Sequence, residues 1–168
     1  MGHKRIILVG PAGSGKNFIR EAFAKRGYTI DVSYTSRSAR EGEVNGIDYA
    51  FIDASAFIEM VRNDEFYEYV QFGPSFYGTS KYSWEHADVF IMENEGIKKI
   101  KKKDRNDCVI IYVNTPYKVR LERMKARGWD NGKIWKRILA DKAAFENFTD
   151  YDIEISSEKH VMLWNQAL

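Results

Sequence analysis

With 168 residues, 44% of them apolar, the chain is sized for one domain with a real core. Its 26 basic and 24 acidic residues leave a net charge of +2, which gives no general electrostatic drive toward nucleic acid or a membrane, so any anion binding must be local. The lone cysteine, Cys108, excludes an internal disulfide, and no uninterrupted apolar stretch approaches the roughly 20 residues of a membrane span. An opening that enters a strand directly, without a cationic-then-apolar leader, predicts a soluble, intracellular protein.

The apolar run at residues 6–9 predicts a strand buried on both faces. It feeds Gly10-Pro11-Ala12-Gly13-Ser14-Gly15-Lys16, a loop of the G-x-x-x-x-G-K type. Glycines let such a backbone curl so that successive N–H groups point inward, the following helix adds its positive end, and the lysine reaches the outer phosphates of a nucleotide. The pattern normally ends in Ser or Thr, whose hydroxyl helps hold Mg²⁺; here Asn17 stands there, offering a neutral amide oxygen instead. Phe18, Ile19, Ala22 and Phe23 repeat at helical spacing over 17–26, and Gly27 ends that helix.

From 33 to about 84 the texture changes to Tyr, Gly and charged residues with poor alternation, which predicts an inserted subdomain on the rim and a moving flap. The run at 89–92 predicts a second buried strand, followed by a lysine-rich surface helix over 97–103, whose solvated face is a better reading than a nucleic-acid patch because Asp104 and Asp107 follow. A third strand at 108–113 makes Cys108 a buried small hydrophobe, and a helix over 116–126 has Thr115 as its cap and Pro116 in its first turn. A helix over 133–145, a short strand near 153–155 and a last helix-patterned piece bearing Val161, Leu163 and Trp164 complete the order. Strands alternating with helices predict a parallel sheet sandwiched by helices.

The insertion contains Ser33-Tyr34-Thr35-Ser36-Arg37-Ser38-Ala39-Arg40-Glu41-Gly42-Glu43, then Val44-Asn45-Gly46-Ile47-Asp48-Tyr49, Glu65-Phe66-Tyr67-Glu68 and Phe76-Tyr77-Gly78-Thr79. In this order after the phosphate loop, these segments resemble the guanylate kinase family, whose members carry T-x-R-x-x-R-x-G-E-x-x-G-x-D-Y, then E-F-x-E, then Y-Y-G-T. The resemblance covers residues 5 to about 157. It implies an α/β fold of the P-loop nucleoside monophosphate kinase type. In that architecture the parallel-sheet core takes 1–32 and 87–168, a monophosphate-binding subdomain 33–86, and a short lid about 125–137.

The residues make chemical sense beside the resemblance. Arg37 and Arg40 offer planar donor forks, and Tyr49 a phenol, for a phosphate monoester; the plainer alternative is exposed arginines neutralising Glu41 and Glu43. Glu68 can accept both N1–H and the 2-amino group of guanine, where adenine presents neither; otherwise it is a surface glutamate on an amphipathic helix. The resemblance implies Ser33, Glu68 and Thr79 for the base, Arg37, Arg40, Tyr49 and Tyr77 for the phosphate, and Gly78 in the same pocket wall. It also makes Lys16, Arg127 and Arg137 the catalytic cations, with ATP on Gly10, Ala12, Gly13, Ser14, Gly15, Lys16 and Asn17, and Mg²⁺ beside Asn17.

Departures are concentrated near the second strand. Where the family reads D-x-D-x-Q-G, this chain reads Ile91-Met92-Glu93-Asn94-Glu95-Gly96, so Glu93 keeps one carboxylate and Ile91 removes the other. Only residues 81–87 remain of a longer family helix, and Trp129 replaces a small polar residue in the lid. The expected activity is transfer from ATP to GMP or dGMP in a cytoplasmic monomer or weak homodimer with no nucleic-acid or membrane partner. Two alternatives stand beside it: a non-catalytic binding module of the same fold, and a kinase acting on another monophosphate or a sugar phosphate.

Overall fold

The computed structural model describes residues 4–156. In chain order the elements are β1 (Arg5–Val9), α1 (Lys16–Ala24), β2 (Tyr34–Thr35), β3 (Ala50–Phe51), α2 (Ala54–Arg62), β4 (Phe66–Phe72), β5 (Ser75–Ser80) and α3 (Lys81–His86). They continue with β6 (Val89–Ile91), α4 (Asn94–Ile97), α5 (Lys102–Arg105), β7 (Cys108–Val113), α6 (Tyr117–Ala126), α7 (Asn131–Phe145) and β8 (Ile153–Ile155). The last helix-patterned piece, with Val161, Leu163 and Trp164, lies outside the described residues.

The apolar runs pair as one parallel sheet in the order β6-β1-β7-β8, with Ile30 bridging to Val89 beyond β6. Successive strand residues point to opposite faces, so the central strands feed two cores at once. Ile7, Val9, Ile110 and Tyr112 pack with Trp84, Phe90 and Ile97 on one face; Leu8, Ile111 and Val113 pack with Ile19 and Phe23 of α1 on the other. A polar substitution at Leu8 or Ile110, each fully buried, would leave a group without solvent or partner.

The segment between these strands forms a second sheet, β3-β2-β5-β4, in which β4 and β5 are an antiparallel hairpin. Phe57 of α2, fully buried, stacks on Phe66 at 4.5 Å and on Phe76 at 5.4 Å, giving this sheet a small core of its own. Tyr67 ties it to the main sheet: its ring stacks on Trp84 at 3.7 Å and its hydroxyl donates to Asp104 at 2.8 Å.

Two local expectations are corrected. The lysine-rich helix over 97–103 is broken into α4 and α5, because Ile100 packs against the first core and the Lys101 N–H donates to the Tyr67 hydroxyl at 3.0 Å rather than to a helical carbonyl. Thr115 does not cap α6: Pro116 holds the cap position, and the Thr115 hydroxyl donates to the Ser14 carbonyl at 2.6 Å. Cys108 is buried, and burial pushes its thiol up to about 11, so it is a packing group rather than a thiolate.

Candidate active site

The phosphate loop leaves β1 through a position where only glycine fits, since a Cβ on Gly10 would stand 2.6 Å from the Val113 carbonyl oxygen. It enters α1 through Gly15, which is left-handed at φ 98° and occupies the helix N-cap. Contacts from behind fix which way the peptides face. Arg120 Nε donates to the Ala12 carbonyl at 2.9 Å, Arg123 to that of Gly13 at 3.0 Å, and Thr115 to that of Ser14 at 2.6 Å. These contacts tie down three successive carbonyls and so fix the orientation of their peptide dipoles, while the Ser14 N–H donates within the loop to the Pro11 carbonyl at 3.2 Å. Lys16 Nζ donates to the Gly10 and Pro11 carbonyls at 2.5 and 3.2 Å, and burial, opposed by Glu93, brings its pKa down to about 8.

A cleft of about 540 Å³ opens in front of this loop, and the second sheet supplies its far wall. Arg37 and Arg40 both reach it, but the Arg37 fork is occupied by Glu43, with Nη1 and Nη2 donating to the two carboxylate oxygens at 2.7 and 3.0 Å. Arg40 is only 3.9 Å from the same carboxylate and places its guanidinium 5.3 Å from the Trp129 ring. The structure shows the Glu43 pairing of the plainer alternative for both arginines, with Arg37 held at the edge of the cleft. Tyr49, whose ring lies 5.2 Å from the Arg37 guanidinium, has its phenol pushed up to about 12 by burial and by Glu93. Trp129 meets two cations, Arg40 and Lys133, the latter at 4.6 Å.

A smaller adjoining cavity of about 20 Å³ is lined by Ser33, Glu68 and Gly78, and shares Tyr49, Tyr77, Ile91 and Glu93 with the main cleft. Glu68 lies on strand β4, not on a helix, and is buried. Thr79, directly across the hairpin, donates its hydroxyl proton to Glu68 at 2.8 Å. Burial pushes the Glu68 carboxyl up to about 7. Gly96 lies close behind it, where a Cβ would come within 2.9 Å of Glu68 Oε2 and press on the carboxylate. The Ser33 hydroxyl donates at 2.5 Å to Asp31, a carboxyl that burial raises to about 6.

Between the two halves stands Arg137. Its Nε donates to Asp141 at 2.9 Å, its Nη2 lies 3.6 Å from Glu93, and its guanidinium sits 4.3 Å from the Phe72 ring centroid. Arg127, at the C-cap of α6, lines the same cleft and is exposed. The structure thus gathers Ala12, Gly13, Ser14, Gly15, Lys16, Asn17, Arg37, Arg40, Tyr49, Tyr77, Glu93, Arg127 and Arg137 around one cleft. Ser33, Glu68 and Gly78 flank it, Thr79 lies behind Glu68, and Gly10 stands back at the end of β1.

Sequence reasoning did not find Arg120, Arg123, Asp31 or Asp141. Only Asp141 carried a local signal, a carboxylate four residues beyond Arg137 on one helix face. Among the described residues no three His, Cys, Asp or Glu side chains cluster as a metal site; the side-chain oxygens that line the cleft beside the loop include those of Ser14, Asn17 and Glu93.

A parallel sheet carrying a glycine-rich loop at the tip of its central strand, with an arginine-bearing sheet facing that loop, defines a P-loop α/β protein with a two-sided cleft. The guanylate kinase family model matches residues 2–160, and the chain belongs to that family. Among solved structures, guanylate kinase from Anaplasma phagocytophilum matches at 23% identity with a TM-score of 0.71, covering 98% of this chain and 81% of that one. A sugar kinase from Janibacter sp. HTCC2649 matches at 14% identity with a TM-score of 0.49, covering 99% of this chain and 93% of that one. Among the described residues no helix is long and apolar enough to cross a membrane.

Proposed function

We propose that the protein transfers the γ-phosphoryl group of ATP to a nucleoside monophosphate, GMP or dGMP, giving GDP or dGDP. The observation that carries this reading is the facing of Lys16 and its loop against Arg37 and Arg40 across one cleft, with Arg137 between them. Such transfer asks a protein for alignment and charge stabilisation rather than covalent chemistry. Lys16 and the loop amides hold the donor phosphates, Arg37, Arg40, Tyr49 and Tyr77 hold the acceptor phosphate, and Arg127 and Arg137 spread the charge that develops in transfer. Mg²⁺ carried in with the nucleotide would neutralise phosphate charge, and the Asn17 amide oxygen would help hold it. Glu68 accepts from N1–H and the 2-amino group of guanine, with Ser33, Thr79 and Glu93 completing the base pocket. In this reading residues 33–86 close as a monophosphate-binding subdomain and 125–137 as a lid.

Asn17 and Ile91 favour a second reading, a binding module of the same fold that has lost transfer chemistry. Its discriminating measurement is ATP affinity by calorimetry, which a module lacking a donor site fails to show. The direct test incubates the protein with ATP, Mg²⁺ and GMP, dGMP, AMP, CMP or UMP separately and measures ADP. Turnover with the guanine nucleotides is expected, and no turnover with any of them refutes the kinase.

A further inference from the structure

We infer that Asp141 is a positioning residue for phosphoryl transfer, aiming Arg137 into the cleft while anchoring the phosphate loop from behind; the inference rests on the reaction proposed above. Asp141 lies on α7 one turn beyond Arg137 and is 3% exposed. Both of its oxygens are engaged. Oδ1 accepts from Arg137 Nε at 2.9 Å, and Oδ2 accepts from Arg120 at 2.6 Å and from the Ala12 backbone N–H at 3.0 Å. One carboxylate therefore joins the loop, α6 and α7, and each of its contacts acts on a group close to the reacting phosphates.

The contact with Arg137 is made through Nε, at the base of the guanidinium. The group is planar, so holding Nε on one side and Phe72 against its face at 4.3 Å leaves little freedom in the direction of the terminal nitrogens. Of these, Nη2 lies 3.6 Å from Glu93, which is on the wall shared by the two cavities. A cation fixed before substrate arrives spends no reorganisation when charge develops beside it. The Arg120 contact completes the device, since the same guanidinium also donates Nε to the Ala12 carbonyl at 2.9 Å. Ala12 is thus held at both its N–H and its C=O by one ion pair.

Charge accounting points the same way. Arg120 and Arg137 have side chains only 11% and 15% exposed, and Lys16 is close enough that both guanidiniums and the Asp141 carboxylate act on its titration. Without the carboxylate, three cations would share one partly buried region, and Arg137 would turn to Glu93 as the nearest remaining anion.

The test is a kinetic double-mutant cycle. Asp141→Asn keeps the shape and removes the charge; it is expected to lower kcat about 10- to 100-fold while the acceptor KM stays within about 2-fold, because the acceptor is held by other residues. In an Arg137→Ala background the same substitution is expected to cost at least about 5-fold less in kcat than in the wild type, since the cation it aims is gone and only its loop contacts through Ala12 and Arg120 remain to be lost. Should the amide variant not fold, Asp141→Glu, which keeps the charge but displaces the pairs by one methylene, gives the same comparison. Equal losses of kcat in both backgrounds, or an unchanged kcat with lowered thermal stability alone, would overturn the positioning role. A wild-type protein with no turnover on any acceptor overturns the proposed reaction and this role with it, and is distinguished from a failed cycle by the wild-type rate itself.

Discussion

Replacing Glu68 by Gln should move stability and guanine binding in opposite directions, and the size of the first effect follows from the structure. The carboxyl is raised from 4.5 to about 7, with burial the largest cause. A raised carboxyl holds its proton in the folded protein at pH values where the unfolded chain has lost it, so this group's contribution to stability declines as pH rises from 4.5 to about 7 and stays low above. The full difference corresponds to about 3 kcal/mol at pH 8. Gln removes the charge and keeps the length. Urea unfolding at pH 8 should therefore find Glu68→Gln about 2–3 kcal/mol more stable than wild type, narrowing to within about 1 kcal/mol at pH 5. The same substitution replaces a carboxylate oxygen by a donor facing the base, so GMP should bind at least about 100-fold more weakly. A variant no more stable than wild type at pH 8, or equally stabilised at both pH values, would refute the idea that burial of this charge opposes folding for the sake of the ligand.

The other predictions concern the phosphate side. Lys16→Met should reduce turnover by orders of magnitude, measured as ADP formation, whereas Asn17→Thr should retain or raise it because a hydroxyl restores the usual oxygen beside the cation. With Lys16 lowered to about 8 by burial, the free protein sheds this proton at a pH where the unfolded chain, at 10.5, still keeps it. Across that window the lysine's contribution to stability rises with pH while ATP affinity falls; unfolding and ATP binding compared at pH 7 and 9.5 should show both trends, and neither in Lys16→Met. Gly10→Ala brings a Cβ to 2.6 Å from the Val113 carbonyl, so chemical denaturation should show a loss of about 1–3 kcal/mol.

The central sheet was legible because strands buried on both faces read as unbroken apolar runs, and those at 6–9, 89–92 and 108–113 became β1, β6 and β7. The phosphate loop was legible because its chemistry is local: glycines, a lysine and a following helix within a few residues. What stayed hidden was held by partners far along the chain. Thr115 reads as a helix cap until Ser14, 101 residues away, offers its carbonyl. Arg120 reads as an ordinary helical arginine until Ala12, 108 residues away, does the same. Glu68 reads as a base acceptor, but its place on a strand was not legible, because nothing in Glu65-Phe66-Tyr67-Glu68 announces a β-hairpin turned inward, and Asp31 carries no motif at all. The break in the lysine-rich helix comes from a tyrosine on another element taking one backbone N–H.

The two halves of the cleft meet the same electrostatic problem differently. Each brings arginines together where the proposed reaction would place a phosphate, and each supplies a carboxylate that keeps those cations from repelling one another. Glu43 occupies the front of the Arg37 fork, holding both terminal nitrogens at 2.7 and 3.0 Å. An acceptor phosphate must therefore displace it from part of that fork or rely first on Arg40, which Glu43 holds only loosely at 3.9 Å. Asp141 instead takes Arg137 by Nε and Arg120 from behind the loop, leaving the Arg137 terminal nitrogens on the cleft side. Under the proposed reaction, acceptor binding would be an exchange of anions on a fork, whose free energy is a difference between two similar contacts, while the donor side would be set before ligand arrives. Affinity for the monophosphate should accordingly be the more easily tuned by single substitutions near Glu43, and rate the more easily lost by substitutions near Asp141.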